Sequence, residues 1–574
     1  MQSLSAFDLC TEYDYVILGS GAAGATLASV LASASMRVLV IEAGPAARSR
    51  NLKLPCRYPH AFGSRWDWCH RTAPQAGLAS RRIPLPSGRM LGGSTGINAM
   101  IFVEPALDLW DDWAGVAGDR WSRSAVVPCF ERFRRWLHSA TAIDSNPSLP
   151  DSDRKACLPS TPPLSPWMEA MFQNAQSLGW TASQLAQTEP ESDGFARVTP
   201  GIDRYQRMQR HGRRISAWEI ASRLHDQSRD KIPTLHTLTH ATAQRVLFDR
   251  QTAIGVEAQR DDGEIVRVHA KRGVLVCAGS LNSPQILLRS GIGPREWLKR
   301  LRIECEHEAP HLGLNLQDHL VFPIVYQSAL PMTPNGGAIH GRLRREDRLQ
   351  YLQHRNGPLA SNLAELGAFM DCRQPPSPDM QSPPNQATAS ANFQWHITPT
   401  HYLDYPHGKS DVGCISIGIT HMRPRSRGRM VPDLEHANGH SASLAWHIDP
   451  SYLQASEEID AWIQAIDWTR NCFEDAAWRS VLGGEILPGS KRANADALEL
   501  ALRRLATTLY HYSCTCSMGT ANDATLDPTM RVRGVDRLWV CDASSMPVMP
   551  SCNPQASIMM MAHRLASALL DETP

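Results

Sequence analysis

The chain of 574 residues lacks the features that would place it in a membrane or on nucleic acid. No run approaches the roughly 18 apolar residues that a membrane-spanning helix needs, and residues 1–12 lack the basic stretch and apolar core of a secretory signal. The formal net charge of +1 provides no basic excess for a phosphate backbone. We therefore expect a cytoplasmic protein with no transmembrane segment and no nucleic-acid partner. Peripheral attachment to a membrane stays open.

Regular cysteine spacing is also absent. The 14 cysteines are scattered along the chain, which argues against a disulfide framework and favours reduced, mostly buried thiols. Cys514 and Cys516 resemble half of a zinc site, but no second Cys or His pair stands nearby at zinc spacing. We therefore expect no metal.

What the sequence does contain is a strand–turn–helix–strand unit close to its start. The apolar run YDYVIL at 13–18 predicts a buried strand, and GSGAAG at 19–24 follows it directly. Ala- and Leu-rich residues 25–35 predict a helix, and RVLVI at 37–41 predicts a second strand. This order is typical of the first half of a doubly wound α/β fold.

The Gly-rich turn in this unit has the spacing of a dinucleotide-binding site. Gly19 allows a tight turn, Gly21 leaves room for a pyrophosphate against the backbone, and Gly24 lets helix and strand pack closely. Glu42, at the end of the second strand, can accept hydrogen bonds from ribose hydroxyls. FAD and NAD both satisfy this pattern, and a tight turn without any ligand is the structural alternative.

Further elements are predicted along the chain. Strands are expected at 243–248, 273–277 and 537–541, and helices from 283, at 452–475, 494–508 and 555–570. Residues 45–87 predict irregular covering structure, while Pro- and Ser-rich composition predicts loops at 139–165 and 373–390.

Further motifs stand along the chain at Gly88–Asn98 (GRMLGGSTGIN), Gly279–Gly293 (GSLNSPQILLRSGIG), Gly313–His319 (GLNLQDH), Leu509–Gly519 (LYHYSCTCSMG) and Pro550–His563 (PSCNPQASIMMMAH). In this order they resemble the glucose–methanol–choline (GMC) oxidoreductases, a family of FAD enzymes. The resemblance runs from Tyr13 to about Leu570 and implies an α/β fold. A Rossmann-type FAD-binding domain is expected beside a substrate domain with an antiparallel sheet and helices.

The resemblance also implies a division of the chain. We expect a discontinuous FAD-binding domain from residues 12–110, 205–320 and 508–570. A substrate-binding or cap region is expected from residues 111–204 and 321–507.

The cofactor residues follow from the same match. Paired glycines let the backbone approach a flat ring closely, and polar side chains beside them can donate to flavin oxygens or phosphate. Besides the Gly-rich turn and Glu42, the resemblance implies FAD contacts from Arg89, Gly92, Gly93, Ser94, Asn98, Ala243, Asp542 and Gln555.

The chemistry implied is oxidation of an alcohol to an aldehyde or ketone, with a quinone, oxygen or another carrier accepting the electrons. His511 matches the family's catalytic histidine, and Asn553 matches its His or Asn partner. A neutral imidazole can take the hydroxyl proton, and an amide can donate to the alkoxide. Likeness to choline dehydrogenases favours a dehydrogenase over an oxidase.

Some positions depart from the family pattern. Tyr512-Ser513-Cys514 stands where Pro-x-Gly is common, and Cys552 and Pro554-Gln555 flank Asn553. We expect both cysteines close to the active site, with Cys514 reshaping the pocket. These changes keep a hydroxynitrile lyase or a fatty-acid photodecarboxylase as the alternative function. A NAD-dependent dehydrogenase would leave every segment beyond the Gly-rich turn unexplained.

An aromatic wall is a further expectation. Trp66 and Trp68 fall in the stretch that covers the flavin in this family. Their rings can bind an apolar or a cationic substrate, and ordinary core packing is the alternative.

We predict that FAD is bound non-covalently. Some family members attach the flavin through a histidine just before the matching asparagine, and here that position is Ile97. Acid precipitation of the yellow protein should leave the colour in the supernatant. Colour that stays with the pellet would contradict this prediction.

Overall fold

The computed structural model describes most of the chain. It covers residues 12–46, 49–141, 158–178, 202–227, 234–330, 345–372, 391–402, 413–435, 444–492 and 494–571. The predicted loop at 373–390 and the larger part of the one at 139–165 lie outside the described residues.

The first sheet carries the predicted dinucleotide-binding unit. Its strands stand in the order Leu235–Thr239, Val38–Glu42, Tyr13–Leu18, Ile265–Val276, Thr252–Arg260 and Ala241–Asp249, with Leu538–Val540 also paired to Ile265–Val276. Pairing is parallel from the first of these strands to the fourth and onto Leu538–Val540. The last two strands extend the sheet in antiparallel fashion.

The second sheet is antiparallel throughout. Its order is Leu482–Leu487, Leu320–Ser328, Cys414–His421, Phe393–Thr398, Leu366–Met370 and Asp203–Arg204, and Thr507–Thr508 pairs with Leu320–Ser328. The prediction of an α/β fold with a Rossmann-type unit and an antiparallel second sheet is confirmed. The boundaries of the two domains stay a prediction.

Helices cover both sheets. Those in the described residues span Ala22–Ser33, Arg50–Lys53, Asp108–Ala117, Arg123–Thr141, Pro166–Ser177, Ala217–Gln227, Ser283–Arg289, Arg295–Leu301, Arg345–His354, Ser456–Phe473, Ala495–Leu505 and Gln555–Asp571. None of these combines the length and apolarity that a bilayer crossing requires. In the described part of residues 45–87, one short helix, two 3₁₀ turns and a small two-stranded ribbon are in keeping with the irregular cover predicted there.

The helix after the Gly-rich turn begins earlier than predicted. It spans Ala22–Ser33 rather than 25–35, because Gly21 is its N-cap and Ser35 adopts a left-handed conformation with φ of 67°. The helix packs between helices Ala217–Gln227 and Gln555–Asp571. Its small Ala and Gly residues permit this close approach.

A layer of aromatic rings holds helix Ser456–Phe473 against the second sheet. The ring of Trp462 lies 5.3 Å from that of Phe393, and Trp468 lies 5.5 Å from Trp395. Phe393, Trp395 and the next alternate residue, Ile397, all point into this core. The intervening residues of the same strand therefore face the opposite side, toward the first sheet.

Candidate active site

One cavity of about 460 Å³ connects the Gly-rich turn with the two predicted catalytic residues. Gly19, Gly21 and Glu42 line one end, and His511 and Asn553 line the other. Residues of the second sheet, among them His396, close the wall opposite the first sheet. The size is in the range of cavities that bind cofactors and small ligands.

The three glycines of the turn have different structural roles. Gly19 has φ of +99°, and a Cβ on it would stand 2.5 Å from the carbonyl oxygen of Cys277. A Cβ on Gly24 would stand 2.0 Å from the carbonyl oxygen of Gly19, so this glycine sets the contact between helix and turn. A Cβ on Gly21 would meet nothing within 4 Å, because this residue faces the cavity.

The cavity end at this turn suits a pyrophosphate and a ribose. The first backbone N–H groups of a helix have no partner within it and carry partial positive charge, and here the helix begins at the cavity wall. Glu42 is buried, and its carboxylate accepts from Ser20 Oγ at 2.6 Å and from Gly44 N at 2.9 Å. Burial raises its pKa, and the carboxylate keeps acceptor capacity for a ribose hydroxyl.

The segment 88–98 lies against the turn, as the resemblance implied. Gly92 and Gly93 have φ of +98° and +49°, and a Cβ on Gly93 would stand 2.8 Å from Cα of Gly21. Asn98 Nδ2 donates to Gln555 Oε1 at 2.7 Å. Buried Arg214, which sequence reasoning missed, donates to Asn98 Oδ1 at 2.8 Å and holds that amide in place.

Most predicted cofactor residues line the cavity, and three do not. Gly93, Ser94, Asn98, Ala243, Asp542 and Gln555 are in its wall, whereas Gly24, Gly92 and Arg89 are not. The Arg89 guanidinium pairs with Asp261 at 3.3 Å and lies over the Trp68 ring. These contacts hold the guanidinium outside the cavity wall, behind Trp68.

Asp542 reaches the cavity wall as part of a hydrogen-bonded turn. Its Oδ2 accepts from Gly279 N at 2.8 Å and Ser283 Oγ at 2.6 Å, and its Oδ1 accepts from Ser544 N. Burial raises the pKa of this carboxyl. The carboxylate thus ties the segment Gly279–Ser283 to its own turn at this part of the cavity wall.

His511 and Asn553 meet although 42 residues separate them. Nε2 of His511 lies 3.3 Å from Nδ2 of Asn553, and Nδ1 of His511 lies 2.9 Å from Nδ1 of His319. The backbone N–H of His511 donates to Asp318 Oδ1 at 2.8 Å, which anchors the loop. Burial, with His319 and His396 nearby, lowers the pKa of His511 well below its ordinary value.

The Asp318 carboxylate anchors the loop that carries His511. Its carboxylate also accepts from the hydroxyls of Thr508 and Tyr452, and burial raises its pKa to about 6. The residue before His511, Tyr510, has φ of 68°, a conformation that side-chain-bearing residues seldom adopt. The hydrogen bonds to Asp318 hold the loop in this shape.

Gln394 and His396 are site residues that sequence reasoning missed. Gln394 Nε2 donates to Asn553 Oδ1 at 3.1 Å, and His396 is buried in the cavity wall with neither ring nitrogen hydrogen-bonded. A signal was available: FQWHIT at 393–398 alternates apolar and polar residues, which indicates a strand with one polar face.

Aromatic side chains form part of the cavity wall. Trp68 lines it as predicted, but Trp66 does not. Tyr58, Phe62 and Tyr510, which the sequence did not single out, supply more of the wall, and the rings of Phe62 and Tyr510 lie 5.2 Å apart.

The expectation that Cys514 reshapes the pocket needs a correction, although Cys552 does lie beside Asn553. Cys514 and Cys552 are 0% and 1% exposed, and neither lines the cavity. Cys514 adopts φ of 73°, which explains why glycine suits this position, and its side chain turns into the core instead of the pocket. Burial raises the pKa of both thiols, so neither is an activated nucleophile.

The fold and this site define a flavin-dependent oxidoreductase class, and comparison with known proteins establishes the family. Two family models described as GMC oxidoreductase match the chain, one over residues 13–321 and one over residues 424–562. The chain belongs to the GMC oxidoreductase family, and its cofactor is FAD. The glycine cradle, the helix terminus and Glu42 fit the dinucleotide part of that cofactor.

Relatives are similar over nearly their whole length. An oxygen-dependent choline dehydrogenase of Photobacterium profundum is 30% identical, with 98% of this chain and 94% of the relative covered. An alcohol dehydrogenase (acceptor) of Pseudomonas putida is 32% identical, with 97% and 96% covered. The solved structure of pyridoxine 4-oxidase from Mesorbium loti, 25% identical, superposes with a TM-score of 0.78 and covers 98% of this chain and all of that one.

We predict that Gly21 and Gly24 fail differently when substituted. Gly21→Val should fold but purify without FAD, because its side chain enters the space that the pyrophosphate needs. Gly24→Ala should lower the free energy of unfolding by about 1–3 kcal/mol or more, since its Cβ collides with the Gly19 carbonyl. Denaturant melts of the apo-proteins and the flavin absorbance separate the two effects. A yellow Gly21→Val protein would contradict the assignment.

Proposed function

We propose that this protein oxidises a primary or secondary alcohol to an aldehyde or ketone, with His511 as the base that takes the hydroxyl proton. The observation that carries the proposal is the facing pair of His511 and Asn553, 3.3 Å apart at the end of the FAD cavity. Names of relatives that act on choline and on alcohols support the substrate class.

The two side chains divide the work by their chemistry. Burial keeps the His511 imidazole neutral, so that Nε2 can accept the alcohol proton. Asn553 cannot accept that proton, but its Nδ2 can donate a hydrogen bond to the negative charge that develops on the alcohol oxygen. An alcohol oxygen beside this pair, on the cavity side, could lie within hydrogen-bond distance of both nitrogen atoms.

FAD, when bound, supplies the acceptor for the hydride that leaves the carbinol carbon. The chain's contribution is orientation and exclusion of water. The rings of Tyr58, Phe62, Trp68 and Tyr510 are part of the cavity wall, and Tyr510 directly precedes His511. Apolar surroundings of this kind strengthen the hydrogen bonds made beside them.

For the final electron acceptor we propose only a chemical class. We favour a dehydrogenase that passes electrons to a quinone or another carrier over an efficient oxidase. The relatives include both an alcohol dehydrogenase (acceptor) and an oxygen-dependent choline dehydrogenase, so oxygen stays among the candidate acceptors. We also infer from Ile97, which lines the cavity without a nucleophilic group, that FAD is not attached through this position.

His511→Ala should bind FAD normally and slow flavin reduction by an alcohol substrate about 100- to 10,000-fold, the usual contribution of a positioned general base. Anaerobic stopped-flow bleaching of the flavin, with a panel of aliphatic, aromatic, sugar and amino alcohols, measures this. His563→Ala is the matched control, because His563 is also buried but lies outside the cavity wall. A His511→Ala protein that reduces its flavin at the wild-type rate would disprove the proposal and strengthen the lyase or light-driven alternative.

The pH dependence follows from the lowered pKa of His511. A histidine in the unfolded chain titrates near pH 6.5, and burial lowers the value in the folded protein, so the base stays neutral well below that pH. The rate constant for flavin reduction should therefore hold from about pH 8 to pH 6.5 and decline only at more acidic pH. An acid limb centred near pH 7 that disappears in His511→Ala would show instead that the imidazole is solvated.

A further inference from the structure

The ring of His319 lies between His511 and the second sheet, and its hydrogen bonds fix where its proton is. Nε2 of His319 lies 3.2 Å from the carbonyl oxygen of Met422. A carbonyl oxygen only accepts, so Nε2 of His319 must carry the hydrogen. The ring is completely buried, and burial lowers its pKa to about 3, so it is neutral and its Nδ1 holds a lone pair.

This arrangement determines which nitrogen of His511 is protonated. Nδ1 of His511 lies 2.9 Å from Nδ1 of His319. Since the His319 nitrogen can only accept, Nδ1 of His511 must donate. A neutral imidazole has one ring hydrogen, which leaves Nε2 of His511 bare and facing Asn553.

A second chain of hydrogen bonds, separate from the one through His319, reaches the opposite side of the His511 ring. Tyr205 donates its hydroxyl hydrogen to the Trp395 carbonyl at 2.7 Å, so its oxygen accepts from Gln394 Nε2, also at 2.7 Å. Gln394 Nε2 donates as well to Asn553 Oδ1 at 3.1 Å. The amide nitrogen of Asn553 is thereby turned toward Nε2 of His511, where it requires a lone pair.

Both chains of hydrogen bonds therefore require the same tautomer of His511. Each chain ends on a backbone carbonyl that lies in the second sheet or at its edge. We propose that His319 is a positioning residue: together with the Met422 carbonyl, it holds His511 protonated at Nδ1 and bare at Nε2. The inference rests on the proposed function, because the tautomer matters only if Nε2 takes the alcohol proton. When Nε2 gains that proton, Nδ1 keeps its own and its bond to His319.

The first experiment substitutes His319 in the full FAD-loaded protein. His319→Leu removes the acceptor and should slow flavin reduction about 10- to 100-fold, the loss expected when a buried N–H is left without its partner. His319→Asn places an amide oxygen where it can accept from Nδ1 of His511 and should recover most of that loss. His563→Leu deletes another buried imidazole, outside the cavity wall, and should stay near the wild-type rate.

The second experiment observes the protons directly. In protein labelled with ¹⁵N-histidine, the resonances of His511 and His319 are assigned from their absence in His511→Ala and His319→Asn. We expect His511 to be protonated at Nδ1 only and His319 at Nε2 only, and we expect the His511 signal to change in His319→Asn. This readout needs no turnover, and a purely structural role for His319 would not predict it.

The outcomes separate the two proposals. A wild-type His511 protonated at Nε2, a His319→Leu enzyme as fast as wild type, or equal losses in the Leu and Asn variants would each overturn the role of His319. None of these results concerns whether His511→Ala loses activity. A fully active His511→Ala enzyme would overturn the proposed function while leaving the tautomer assignment intact.

Discussion

The contact between the backbone of Gly24 and the carbonyl of Gly19 is the constraint from which the site is built. At this point no room exists for a single carbon atom, since a Cβ would stand 2.0 Å from the oxygen. The contact places the start of helix Ala22–Ser33 directly at the carboxyl edge of the first sheet. The same helix packs on the C-terminal helix Gln555–Asp571, so its placement also bears on the start of that helix. Asn553 lies two residues before that helix begins.

The end of the cavity that holds His511 and Asn553 depends on the second sheet for a different reason. His511 is on an irregular loop, and a loop does not hold an imidazole ring in one orientation unless its neighbours do. The backbone of this loop is tied to Asp318, and the ring is held between His319 and Asn553. Burying polar groups this deeply costs free energy unless they are hydrogen-bonded. The hydrogen-bond network that satisfies these groups therefore also fixes their geometry.

The two sheets contribute different groups to the cavity because their strands pair differently. The first sheet presents parallel carboxyl ends and a helix N-terminus, which suits phosphate and ribose. In the second sheet, strand Phe393–Thr398 packs one apolar face on helix Ser456–Phe473; on its other face His396 lines the cavity and Gln394 donates to Asn553. A half-buried antiparallel strand provides such a polar face with no change in backbone structure.

The sequence by itself determined the elements whose cause is local, together with the family. The run at 13–18, the glycine spacing at 19–24 and the motifs around His511 and Asn553 predicted the strand, the turn and the pairing of the two candidate catalytic residues. The strand and the turn could be predicted because hydrophobic periodicity and glycine geometry act over a few residues, whereas the pairing of His511 with Asn553 came from the resemblance to the family.

Only the tertiary structure decided which side chains share the cavity and where their protons are. His319 and His511 are 192 residues apart, and Gln394 and Asn553 are 159 residues apart. The Arg89 side chain pairs with Asp261 instead of lining the cavity, and the Cys514 side chain packs in the core. Such outcomes depend on strand order and packing between distant segments, which no local pattern encodes, and a histidine tautomer depends on the partners that this packing supplies.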